Sequence, residues 1–344
     1  MIKYSDFLKV GDTIGLVATS VGISIEPYKS RFENAVKVFT KLGYKLKFAP
    51  SIYGNKKCRS NTGKARAKEF MDMYLDDDVK MIFSVAGGEF MIEILPYIDF
   101  EKIKKAKPKY FQGNSDNTNL TFTLTTICDI ATIYGPAFPE FGMMEWYDNL
   151  IKNYQFLTGF NNELTNYSYC ETQSLKYTPG KELSSYNLTK KTEWKILYPK
   201  TKELHLSGRI IGGCLDILVC LCGTKFDKVK EFNLRHSNEK IIWYFESCDL
   251  TNPAQIRAIW QLKNAGWFDK KNLEAIVIGR PLNSEKVFDT NYKEANLMHL
   301  KDLKVPVIID ADVGHVPPSM HIVNGANVNI DIIGDKVNIK YKLD

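Results

Sequence analysis

Four short stretches carry residue types that can do chemistry. In Tyr110-Phe111-Gln112-Gly113-Asn114-Ser115-Asp116-Asn117 a strand runs through a tight turn into a helix, with Ser115 at the bend. A hydroxyl there is lifted out of the backbone beside helix N-terminal N–H groups, which favour a developing negative charge. The competing reading is a helix cap, a role that Ser115 or Asp116 fills equally well. The pattern is G-x-S-x-N, not the G-x-S-x-G turn of the α/β-hydrolases. In Val85-Ala86-Gly87-Gly88-Glu89 two glycines end a strand, and their N–H groups suit an oxyanion or phosphate site, or simply a tight strand-to-helix turn. Glu246 closes the apolar run Trp243-Tyr244-Phe245. If buried it needs a partner, and otherwise it is a surface carboxylate just past the strand. The fourth stretch is Ile309-Asp310-Ala311-Asp312-Val313-Gly314-His315-Val316-Pro317-Pro318, in which glycine and two prolines fix a loop around an imidazole. Asp310, Asp312 and His315 also read as turn chemistry, or as part of a metal site whose other ligands the sequence does not identify. Of the remaining histidines, His205, His236 and His299 read as surface residues and His321 as a lesser alternative base.

Together Ser115, Glu246 and His315 make a candidate triad in the chain order nucleophile, acid, base, each at the carboxyl end of a predicted strand. His315 would take the Ser115 proton, Glu246 would orient the imidazole and stabilise its cation, and backbone N–H groups of Gly88 and Asp116 would hold the oxyanion. Such a site needs no metal and no organic cofactor. A base that works only when neutral predicts a rate that falls with pH through the imidazole pKa, about 6.5 if unperturbed.

These residues require a sheet that presents strand ends side by side. The first 135 residues alternate short apolar runs with amphipathic stretches, which predicts βαβ units and an open, doubly wound parallel sheet. Strands are predicted over 13–19, 44–48, 81–85, 110–112 and 130–134, and helices over 27–42, 64–74 and 118–128, with Gly43 stopping the first helix. From Trp146 to Trp194 the regularity fails, which predicts a crossover and surface excursion rather than core. Apolar segments return at 208–211, 215–221, 241–245, 275–278 and 305–309, with a helix over 253–265 and an alternating hairpin around Gly334-Asp335. The expected division is residues 1–150 carrying the nucleophile, 151–195 as connecting segment, and 196–344 as a smaller α/β domain carrying Glu246 and His315.

The 344 residues are 44% hydrophobic and 25% charged, values that exclude disordered, collagen-like and coiled-coil chains. The net charge of +6 comes from 46 basic and 40 acidic residues, interleaved and without long runs, which argues against a nucleic-acid partner. No apolar run spans a membrane and the N-terminus lacks a signal segment, so a soluble cytoplasmic protein is expected. The seven cysteines sit mostly in apolar runs without CxxC spacing, which suits reduced structural thiols.

In order, Gly87-Gly88, Leu95-Pro96-Tyr97-Ile98-Asp99, Gly113-Asn114-Ser115-Asp116, Tyr134-Gly135-Pro136, Ile211-Gly212-Gly213-Cys214-Leu215, Gly223-Thr224, Phe245-Glu246 and Gly314-His315 resemble the blocks of the LD-carboxypeptidase family of serine peptidases. The resemblance spans essentially the whole chain. It implies a flavodoxin-like N-terminal domain, a smaller α/β C-terminal domain, a Ser-Glu-His triad at the cleft, and a homodimer. The family roles fall on Ser115, Glu246 and His315, with Gly88 and Asp116 as oxyanion donors. Its members act either on muropeptides, at an L,D bond, or on an aminoacyl-nucleotide, as in microcin C immunity, and the long aromatic segment 146–194 resembles the immunity branch. Asn114, Ser247-Cys248-Asp249 and Met320-His321 depart from the family pattern and bear on substrate identity. The competing class is a catalytically silent protein that binds a nucleotide or cell-wall fragment in the same cleft.

Overall fold

The structure, a computed structural model, describes residues 1–283 and 285–343. Its first five strands are β1 (Thr13–Val17), β2 (Lys45–Phe48), β3 (Val79–Ser84), β4 (Tyr110–Gly113) and β5 (Thr132–Tyr134). There follow β6 (Glu163–Thr165), β7 (Tyr169–Glu171), β8 (Leu188–Lys191), β9 (Lys195–Tyr198), β10 (Glu203–Cys214), β11 (Ile241–Glu246), β12 (Leu273–Gly279), β13 (Val307–Ala311), β14 (Ile322–Asn324), β15 (Asn327–Ile333) and β16 (Lys336–Lys342).

The first sheet has the order β14-β5-β4-β3-β1-β2. Strands β1 to β5 are parallel in the order 2-1-3-4-5, the flavodoxin-like winding, in which ligands bind beyond the carboxyl ends of the strands. Helices over Tyr28–Lys41, Gly63–Leu75, Phe100–Lys105 and Thr118–Cys128 make the crossovers. With both faces of the sheet covered, its central strands read as unbroken apolar runs: Ile14, Leu16 and Val17 are all buried. Gly43, at φ +91°, ends the first helix as predicted.

The second sheet has the order β6-β16-β15-β10-β11-β12-β13-β9. Its middle strands, β10 to β13, are parallel. The β15–β16 hairpin turns at Gly334-Asp335, as the alternation predicts.

The stretch from 146 to 194 differs from the surface excursion predicted. It holds a helix over Asp148–Leu157 that buries Leu150, Phe156 and Leu157, and it supplies β6 to the second sheet. Asn149 and Asn153 lie buried on the inner face of that helix, where Asn153 Oδ1 accepts a 2.8 Å bond from Gln112 Nε2. Polar residues on the inner face are what hid the helical period.

Helix Thr118–Cys128 packs against β5 of the first sheet and β10 of the second, and it is buried on nearly every side. All five of its threonines are buried, and Thr123, Thr125 and Thr126 satisfy their hydroxyls on carbonyls one turn back. Phe122 stacks on Trp267 at 5.2 Å. The chain then returns from the second sheet to seal the first, because β14 pairs antiparallel with β5, Ile322 opposite Tyr134. His236, read from sequence as a surface residue, is buried here between Asp129 and Glu239, beside the Arg235–Asp129 pair. Among the described residues no helix is long and apolar enough to cross a membrane.

Candidate active site

β4 ends at Gly113, and two residues later Ser115 takes φ +61°, a left-handed conformation that costs a non-glycine residue about 1–2 kcal/mol. The strain holds the side chain at the bend. Ser115 makes no helix-capping bond, and the helix that follows starts on Asn117 without a side-chain cap. The cap reading of Asp116 fails as well: its buried carboxylate accepts Ser20 Oγ at 2.5 Å, the Met91 N–H at 2.8 Å and Asn119 Nδ2 at 2.9 Å. Burial raises its pKa above the ordinary carboxylate range, although these donors and Arg66 oppose the shift. Asp116 thereby ties the candidate nucleophile turn to the loop that follows β3.

That loop carries Gly87 and Gly88. A Cβ on Gly87 would stand 3.3 Å from Ser115 Oγ, so the glycine leaves the hydroxyl open to a ligand. Gly88, at φ +146°, packs against Ser20, the residue bonded to Asp116. Asn117 Nδ2 holds the Ala86 carbonyl at 3.1 Å, and the Gly87 carbonyl accepts the Val21 N–H. Among the described residues, neither the Gly88 nor the Asp116 N–H is donated to a protein acceptor. Two free N–H groups beside a hydroxyl are the elements of an oxyanion site.

Glu246 is the last residue of β11, and its side chain is fully buried. It has the partners that burial demands: Oε2 lies 2.7 Å from His315 Nδ1, and Oε1 accepts the Tyr134 hydroxyl at 2.5 Å. Burial alone would raise its pKa, but the charge and hydrogen bond of His315, with bonds from Tyr134 and Cys214, outweigh it and hold the carboxyl below its ordinary range. For His315 burial works downward, yet the Glu246 charge and bonds with Cys248 and Glu246 raise its pKa to about 11. The two shifts agree on an ion pair. With Nδ1 turned to Glu246, Nε2 is the nitrogen that would serve as base.

Three hydrogen bonds join the candidate residues. The Ser115 N–H donates to the Tyr134 hydroxyl at 3.0 Å, that hydroxyl donates to Glu246, and Glu246 holds His315. Among the described residues no direct bond connects Ser115 Oγ with His315, a contact that commonly tightens only on substrate binding.

The metal alternative on Asp310, Asp312 and His315 does not fit. Asp310 pairs with Lys195 at 2.7 Å, and His315 faces Glu246. The fully buried Asp312 accepts the Arg280 guanidinium, the Tyr167 N–H at 3.0 Å and the Trp194 indole N–H at 2.9 Å. These three side chains have three different sets of partners, and no metal-ligating cluster occurs among the described residues. His321 is not a second base. It is buried without a partner on either ring nitrogen, and desolvation lowers its pKa to about 3.

Sequence reasoning missed Tyr134 and Arg280. Arg280 follows the apolar run of β12 directly, so the signal was the one that marked Glu246, a charge at the carboxyl end of a buried strand. Tyr134 ends β5, but a tyrosine in an apolar strand carries no such mark.

The N-terminal domain model of the LD-carboxypeptidase family matches residues 14–135, and the C-terminal domain model matches residues 207–330. The microcin C7 self-immunity protein MccF of Escherichia coli is 28% identical over 347 residues, covering 96% of this chain and 94% of that protein. A probable murein peptide carboxypeptidase of Bacillus subtilis is 26% identical over 331 residues, covering 93% of this chain and 88% of that protein. The solved structure of MccF in complex with aspartyl sulfamoyl adenosine superposes with a TM-score of 0.81 at 24% identity, over 100% of this chain and 99% of that one, which establishes the shared fold. Together the two family models take in well over half of the residues, and the chain belongs to the LD-carboxypeptidase family as a serine-type carboxypeptidase.

Proposed function

We propose that this protein hydrolyses an amide bond next to a carboxylate- or phosphate-bearing group, with Ser115 as nucleophile, His315 as base and Glu246 as the acid that orients it. The observation that carries the reading is the buried His315–Glu246 pair, hydrogen-bonded through Tyr134 to the strained turn of Ser115. In the first step the Ser115 hydroxyl proton passes to His315 Nε2 as Oγ bonds to the carbonyl carbon. The carbonyl oxygen becomes an oxyanion, held by the N–H groups of Gly88 and Asp116. Collapse breaks the C–N bond, with the proton on Nε2 going to the departing nitrogen and the acyl group left on Ser115. A water molecule, deprotonated by His315, then reverses the sequence and frees the acid.

Of the two substrate classes we favour the aminoacyl-nucleotide. The chain aligns end to end with a protein whose structure holds aspartyl sulfamoyl adenosine, and its 146–194 segment carries the aromatic residue Tyr147, which is partly exposed. The muropeptide reading is supported by the likeness to the murein peptide carboxypeptidase.

Incubation with an aminoacyl sulfamoyl adenosine and with a muropeptide tetrapeptide, followed by mass spectrometry, distinguishes the two. Release of free amino acid from the nucleotide is expected, and Ser115→Ala should lower that rate by at least about 10³-fold. Turnover that persists in Ser115→Ala would sink the triad. Release of terminal D-alanine alone would transfer the substrate assignment to the cell-wall peptide.

A further inference from the structure

The Tyr134 side chain is fully buried at the end of β5, the edge that β14 seals. Its single hydroxyl does two things: it accepts the Ser115 backbone N–H at 3.0 Å and donates its proton to Glu246 Oε1 at 2.5 Å. Glu246 belongs to the other sheet. Tyr134 is thus a side chain bonded both to the turn of the nucleophile and to the acid that governs the base. A Phe ring would fill the same space, so packing does not call for the hydroxyl.

We infer that Tyr134 is a positioning residue that sets the basicity of His315 and locks the Ser115 turn in register with the Glu246–His315 pair. This inference rests on the triad reading above. The physical basis is competition for one carboxylate. Each hydrogen bond that Glu246 accepts spreads its negative charge and weakens its pull on the imidazolium at Oε2. The donor at Oε1 therefore lowers the pH at which His315 becomes a free base. On its other side the hydroxyl satisfies the N–H of a left-handed residue, which anchors the turn against relaxation.

The test uses the full-length protein and the rate at which a fluorophosphonate labels Ser115 as a function of pH, a readout that needs no knowledge of the substrate. In Tyr134→Phe, labelling should slow by about 10- to 100-fold. The acid limb of its pH profile should move upward by about one unit, because Glu246 then pulls on the imidazolium with its full charge. Site-specific 3-fluorotyrosine at position 134, a stronger donor of unchanged shape, should move the limb downward. In a Glu246→Gln background the carboxylate charge is gone, and Tyr134→Phe should leave the limb where it is. Labelling slowed with the limb unmoved in both the Phe and the fluorotyrosine proteins would reduce Tyr134 to packing and overturn the inference. If Tyr134→Phe fails to fold, the fluorotyrosine arm decides alone. Wild-type protein that is never labelled at Ser115 overturns the triad and this inference together, so the two failures are told apart.

Discussion

Ser115 and His315 are each held against an ordinary preference, one in its backbone and the other in its charge. A serine at φ +61° persists only where its surroundings over-determine it, and here the Tyr134 hydroxyl and the Asp116 carboxylate do so on either side of the turn. The Glu246 charge holds His315 protonated to well above its ordinary pKa. As the proposed base His315 works only when neutral, so raising its pKa widens the inactive range at low pH and moves the acid limb to the alkaline side. The sequence alone places that limb near the unperturbed imidazole value of about 6.5. The ion pair instead predicts a wild-type limb clearly above it. Glu246→Gln removes the charge, so its limb should fall back toward that value while the maximal rate drops. A wild-type limb at or below the unperturbed value would show that the pair does not govern the base.

At the level of elements, the loop after β13 is fixed by a side chain from its neighbour. Arg280 pairs with Asp312, and its Nη2 donates to the carbonyls of Val316 at 2.8 Å and Pro318 at 2.6 Å, on the far side of His315. The 146–194 segment braces the same loop, since Tyr167 and Trp194 also donate to Asp312 and the Glu171 N–H donates to Pro317. A planar guanidinium reaches carboxylate and both carbonyls at once, whereas an ammonium cannot span them. Arg280→Lys should keep the buried charge paired and the protein folded, yet lower kcat by about 10- to 100-fold through misplacement of His315. Unchanged kcat in a folded Arg280→Lys protein would show that the prolines fix the loop by themselves. Arg280→Ala should also destabilise by about 3–5 kcal/mol, because it strands a buried carboxylate. The segment predicted as a crossover and surface excursion is thus part of the support for the His315 loop.

In the whole molecule, Ser115 and His315, the proposed nucleophile and base, follow strands of different sheets, and three features hold the sheets together: the buried helix Thr118–Cys128, strand β14 on β5, and the Asp129–Arg235–His236 cluster. β14 starts beside His321, whose ring is enclosed by Phe156 and Tyr341. Desolvation lowers its folded pKa to about 3, while in the unfolded chain the ordinary value near 6.5 returns. The unfolded state therefore binds the extra proton between those values. Stability from this site is full above about pH 6.5 and is lost as pH falls, at up to about 1.4 kcal/mol per unit. His321→Phe should remove that slope: urea unfolding at pH 7 and pH 4.5 should show a smaller loss for the variant than for the wild type. Equal losses would mean that the ring is protonated in the folded protein.

Much of this was legible in the sequence. The alternation of apolar runs determined the doubly wound sheet, because a sheet covered on both faces demands unbroken apolar strands whatever packs on them. Ser115, Glu246 and His315 stood out because a polar group at the end of a buried strand is costly unless it is used. What only the tertiary structure decided was pairing. Nothing in the chain order says that Tyr134 reaches Glu246 across two sheets, that Arg280 rather than a metal occupies Asp312, or that the inner face of the helix over Asp148–Leu157 is polar because Gln112 waits opposite Asn153. Propensity and period are local properties and can be read from the residues themselves. A buried polar group is settled by whichever partner the fold brings within hydrogen-bond reach, and that partner lies 41 residues away for Asn153 and 112 for Tyr134.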